Sequence, residues 1–286
     1  MGRGGATLRV NELRNKLGVA SGQQGEGMVG IRCGWVRVSL AAALAWGAAA
    51  APAGGQTLDA EQSAAYADCM GLARLQPEQA FETALTWQSA GGGAAAQHCA
   101  AVALLGLGRY EDAARRLEQL AQGMTADPQG LRADILAQSG QAWLIAGDIE
   151  RAHAVQTAAL DIDPENVELL IDRSITFATT GSYWDAVDDL NRAIDLAPER
   201  ADVLVLRSSA YRRLDALELA GDDVTRALML DPENPEGLLE RGILHRLWGE
   251  ADRARADWIQ VLTLAPSTPA ADAARAHLEE LDVKVE

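Results

Sequence analysis

Three cysteines, four histidines and several adjacent carboxylates are the side chains through which this 286-residue chain could do chemistry. An imidazole or thiolate becomes a metal ligand, base or nucleophile only beside a partner at suitable spacing. His98, His153, His245 and His277 are scattered, and the neighbours His98 and Cys99 would point in different directions on a helix. No HExxH, CxxC or Gly-x-Ser-x-Gly pattern occurs, and Gly91-Gly92-Gly93 lacks the Lys-Ser/Thr that a phosphate-cradling loop carries. Asp188-Asp189, Asp222-Asp223 and Glu279-Glu280 could imitate a carboxylate dyad, but neighbours on a helix do not face each other. The reading is a non-enzymatic chain without metal or cofactor.

One charged pattern is regular. Arg173, Arg207 and Arg241 stand 34 residues apart, as do Asp189, Asp223 and Asp257. Whatever positions them repeats with that period, and the rest of the sequence agrees. Pro164, Pro198, Pro232 and Pro266 keep the same step, and so do Ala152, Ala186, Ala220 and Ala254. Trp143, Phe177, Tyr211 and His245 form a third row, and Gly147, Gly181, Asp215 and Gly249 a fourth. Such a period accommodates two helices of about 14 residues, a tight turn and a short link. Gly181 and Gly249 would stop the first helix in the left-handed conformation. Asp163-Pro164-Glu165 and Asp231-Pro232-Glu233 would cap and open the next pair. Leu170, Phe177, Leu190 and Leu196 would fill the seam.

These residues resemble the tetratricopeptide-repeat (TPR) family. Four units match, Ala133 to Pro164, Val167 to Pro198, Ala201 to Pro232 and Pro235 to Pro266. The resemblance implies an all-α fold, a right-handed α-solenoid of stacked antiparallel helix pairs, ending in a C-terminal solvating helix. Counting each closing Pro as repeat position 32, the boundaries are a degenerate unit at 54–93, a divergent one at 94–130, four good units at 131–266 and a cap at 267–286. A unit step of 39 residues across 122–130 requires extra loop or longer helix ends.

On this scaffold the periodic arginines occupy position 7 and the aspartates position 23, at similar heights on antiparallel helices. Each unit would then hold an ion pair between its first and second helix, unless the charges are simply solvated. The unit with Ser139 lacks the arginine and, having Val155, also the aspartate; joint loss is what a pair implies, because a lone half-buried charge is costly. Cys69 and Cys99 would fall on first helices of neighbouring units and either form a disulfide or stay buried thiols.

The family's first helices line a concave surface. Carried over, the groove comprises Ala137, Gln141, Ile171, Ile175, Val205 and Ser209, then Leu239 and Ile243, with a basic spot at Arg212, Arg213 and Arg246. The Lys and Asn with which one subgroup clamps terminal carboxylates are missing at positions 5 and 9. An amphipathic helix or extended peptide with apolar anchors would suit the rest. Alternatively the apolar floor packs against neighbouring repeats or a C-terminal helix folded into the groove.

Net charge of −16 opposes nucleic-acid and anionic-membrane binding. Residues 1–53 read as an export label: Arg32 and Arg37 precede the apolar run Val38 to Ala51, with a small-x-small site at Ala51-Pro52-Ala53. Met28 gives a signal of ordinary length and is a candidate start. The run falls short of the ~20 residues of a membrane span. A periplasmic or secreted scaffold for a protein or peptide partner, serving envelope assembly or maintenance, follows. The alternatives are a self-assembling structural module and an accessory domain of an envelope enzyme.

Overall fold

The computed structural model describes residues 60–124 and 130–283; the export label and the candidate start at Met28 lie outside them. Among the described residues there are thirteen helices and no strand. They are α1 (Ala60–Leu75), α2 (Pro77–Ser89), α3 (Gly93–Gly106), α4 (Tyr110–Gly123), α5 (Leu131–Ala146), α6 (Ile149–Ile162) and α7 (Val167–Thr180). There follow α8 (Tyr183–Leu196), α9 (Ala201–Arg213), α10 (Leu217–Leu230), α11 (Pro235–Leu247), α12 (Ala251–Leu264) and α13 (Pro269–Val283). Consecutive helices pack as neighbours, and first helices also meet across units at α1 and α3, α5 and α7, α9 and α11, and α11 and α13. None of the described helices is long and apolar enough to cross a membrane.

Small residues set the spacing. Ala152, Ala186, Ala220 and Ala254 are at most 1% exposed and Ala159, Ala193 and Ala227 fully buried, so the paired helices approach at alanine distance. Large side chains then fill the layers between, Trp143, Leu170, Leu190, Leu204, Leu238 and Trp258 among them. A pair exposes this seam until the next one covers it, so the stack is stable only as a whole. On the last pair α13 supplies that cover with Ala270, Ala271 and Ala274.

The turns between paired helices hold left-handed residues at Gly147, Gly181 and Gly249, with Asp215 (φ 61°) in the same role in the unit without glycine. Two local expectations change. Asp163-Pro164-Glu165 does not open the next helix: Asp163 ends α6, and α7 starts at Val167 under Asn166, whose side chain accepts from the Leu169 N–H at 3.2 Å. Asn234 does the same for α11, accepting from the Gly237 N–H at 2.8 Å. Leu196, expected in the seam, is 43% exposed, and so are its equivalents Ile162, Leu230 and Leu264 to a similar degree. These residues sit at the last turn of the second helix, beyond the reach of the next pair.

Arginine and aspartate meet in each of the last three pairs. Arg173 donates to both oxygens of Asp189, each at 2.7 Å; Arg207 does so to Asp223 at 2.7 Å, and Arg241 to Asp257 at 2.9 and 2.6 Å. The aspartate side chains are 5 to 8% exposed. In the unit lacking the pair, Ser139 instead donates to the Ala114 carbonyl at 3.0 Å, and Val155 is buried.

Cys69 on α1 and Cys99 on α3 are joined in a disulfide, buried beside Ala84, Phe81 and Trp87. The bond closes a loop spanning a 30-residue separation. Constraining such a loop stabilises by roughly 3 to 4 kcal/mol. The purified, denatured protein is expected to show no thiol from these two residues until reductant is added, and the reduced protein to unfold at lower urea. Two reactive thiols without reductant would contradict the bond.

Candidate functional site

The inner wall formed by the first helices is the surface on which the sequence placed its groove. Ala137, Ile175, Leu239 and Ile243 are half-buried and lean on the core. Ile171 and Val205 do not belong with them. Each is 7% exposed and packs in the main core cluster, so position 5 turns into the core and not onto the wall. A ligand cannot use them as a floor.

The basic spot also dissolves. Arg212 on α9 holds both oxygens of Glu240 on α11, at 2.5 and 3.1 Å, and also meets the Ser209 hydroxyl at 3.3 Å. Arg246 on α11 reaches Glu280 on α13 at 2.6 Å. Arg213 is half-buried. Arg212 and Arg246 therefore bridge consecutive first helices and carry their own counter-charges.

What the sequence reading missed is position 6. In successive units it holds Gln138, Asp172, Leu206 and Glu240, and the three polar members each accept from the preceding first helix. Gln138 on α5 accepts from His98 Nε2 on α3 at 3.0 Å, and His98 Nδ1 accepts from the Tyr66 hydroxyl on α1 at 2.7 Å. Burial holds the His98 imidazole neutral by lowering its pKa, against the raising effect of Gln138. Asp172 Oδ2 on α7 accepts from the Gln141 amide on α5 at 2.7 Å. The inner wall is a run of such bridges interrupted by half-buried aliphatic residues. Among the described residues no group of three or more His, Cys, Asp or Glu could hold a metal ion.

No family model matches the sequence, and no curated protein matches it. Solved structures do. MamA, residues 41 to the end, from Desulfovibrio magneticus RS-1 aligns with TM-score 0.53 and 23% identity over 61% of this chain and 96% of that one. TTC0263, a thermophilic TPR protein of Thermus thermophilus, aligns with TM-score 0.51 and 21% identity over 62% and 95%. The chain has the tetratricopeptide-repeat fold. At this identity the likeness concerns architecture.

Within the TPR wall Asp172 is the titratable outlier. Burial pushes its carboxyl up to about 7; the Gln141 hydrogen bond opposes this, and the nearby charge of Glu168 adds to it. A carboxyl whose pKa is higher in the folded than in the unfolded chain favours folding only while protonated. That contribution is complete below about pH 4 and is lost as pH rises through 7. At about 1.4 kcal/mol per pH unit, discounted for solvent contact, the loss is about 2 kcal/mol. Asp172→Asn, which cannot ionise, is expected to exceed the wild type in unfolding free energy by that amount at pH 8 and to match it near pH 4. Urea unfolding at both pH values checks this; a difference independent of pH would refute it.

Proposed function

We propose that this TPR solenoid is a non-catalytic scaffold that holds a protein or peptide along its inner wall. The observation that carries the reading is the alternation, on one continuous face, of half-buried aliphatic residues (Ile175, Leu239, Ile243) with fixed polar bridges. Apolar anchors at intervals, with oriented hydrogen-bonding groups between them, suit an amphipathic helix or an extended segment. The buried Cys69–Cys99 disulfide supports an oxidising compartment, as the export label at 1–53 would require. Assembly or maintenance of the cell envelope is the role we propose there.

The test is crosslinked recovery of partners from an envelope fraction, comparing wild type with Ile175→Glu plus Ile243→Glu. These positions are half-buried, so a charge there alters the wall without entering the core, as it would at Ile171 or Val205. Loss of the same partners from the folded double variant is expected. Unchanged recovery would place binding elsewhere. Size measurement over a range of concentrations separates this reading from self-assembly, which should grow with concentration.

A further inference from the structure

The repeats offer an internal comparison. Asp172 and Glu240 occupy the same position, two units apart. Glu240 is answered by Arg212, which stands at position 12 of the preceding unit and grips both carboxylate oxygens. At position 12 before Asp172 the chain has Leu144. Among the described residues no arginine, lysine or histidine forms an ion pair with Asp172. Its Oδ2 accepts from Gln141, whereas among the described residues no group donates to its Oδ1, and the residue is half-buried.

We propose that Asp172 is a receptor for a cationic side chain, an arginine or lysine of a peptide bound on the inner wall, which supplies the positive charge that the fold supplies to Glu240. The surroundings fit such a group. Glu168, one turn earlier on α7, adds negative potential, and is itself bridged from the next unit by Arg200 at 2.5 Å. Half-buried Leu144 and Ile175, each one turn along its helix from Gln141 and Asp172, can hold the methylene stem while the charged head meets oxygen. A cation there would also convert Asp172 to its ionised form, reversing the effect of burial. Arg173, the neighbour in sequence, cannot serve, because Asp189 occupies it. This inference rests on the peptide-binding reading of the same wall.

The probes are N-acetyl-arginine amide and N-acetyl-citrulline amide, identical in shape apart from the charge, followed by NMR of the Gln141 side-chain amide and the Asp172 carboxyl. In wild type the arginine probe should shift both signals and lower the Asp172 titration midpoint; the citrulline probe should bind about tenfold more weakly. Asp172→Asn should lose the preference. Leu144→Arg recreates the arrangement of Arg212 with Glu240 and should occupy the carboxyl in cis, removing arginine binding while raising stability. Equal binding of the two probes to wild type, or undiminished arginine binding to either variant, overturns the receptor. A parallel titration with an uncharged leucine-rich peptide separates the two readings. If that peptide binds wild type and is lost on Ile175→Glu while arginine adds nothing, the wall still binds peptides and only the receptor fails.

Discussion

Asp223→Ala is expected to lower the unfolding free energy by about 3 to 5 kcal/mol, the range for removing one partner of a buried ion pair. The remaining guanidinium of Arg207 has nowhere to go. It is 17% exposed, fixed by Asn191 at 2.7 Å through Nη1, and its Nε and Nη2 both point at the vanished carboxylate. An arginine stays protonated even when stripped of its partner, so shedding the proton offers no relief. Removing both partners together, as Arg207→Leu with Asp223→Leu, should cost far less than the single change, because no charge is stranded. The unit at 133–164 already shows this solution, with Ser139 and Val155 in the two slots and a solitary hydrogen bond to Ala114. Urea unfolding of the three variants gives the coupling directly. A double variant as unstable as Asp223→Ala would mean that the pair supplies net stability that apolar packing cannot replace.

Why that pair was legible while the inner wall was not follows from where the partners lie. Arg207 and Asp223 sit within one unit, 16 residues apart, and both recur with the period, so one row of the repeat answers the other. The three bridges made by position 6 join different units with separations of 28, 31 and 40 residues and change chemistry each time, from imidazole to amide to guanidinium. No fixed offset marks them. Position 6 varies among Gln, Asp, Leu and Glu, which in a sequence looks like an unconstrained surface site. Ile171 and Val205 were misplaced for the opposite reason. Their position is regularly apolar, which periodicity alone cannot assign to a groove floor rather than a seam, and their burial in the main core settles it as seam. The helix starts shifted because an Asp-Pro pair is as compatible with a turn leaving one helix as with a cap opening the next; Asn166 and Asn234, three residues on, provide the oxygen that the N–H groups need.

Gly242→Ala should destabilise by more than about 3 kcal/mol, at or beyond the usual upper end for overpacking a core, although alanine is the better helix former by about 1 kcal/mol. The added Cβ would stand 2.3 Å from Nε1 of Trp258 and 2.7 Å from its Cδ1. Trp258 is fully buried, its Nε1–H is directed to the Leu239 carbonyl at 3.3 Å, and its other face stacks on His277 at 5.0 Å. The ring therefore cannot swing clear, and α11 must move instead. The unit at 133–164 shows the same juxtaposition of positions 8 and 24. A Cβ on Gly140 would likewise stand 2.7 Å from Cγ of Gln156. Trp258→Leu should accordingly relieve Gly242→Ala, so that the double variant is more stable than the sum of the single losses. Gly221→Ala is the control: its Cβ would come 2.9 Å from Cη2 of Trp248, but that ring is 44% exposed and can rotate into solvent, so the net change should stay within about 1 kcal/mol. Equal costs for Gly242→Ala and Gly221→Ala in urea unfolding would show that helix backbone effects, and not the fit of Trp258 into the space left by a glycine, set the stability of the final pair.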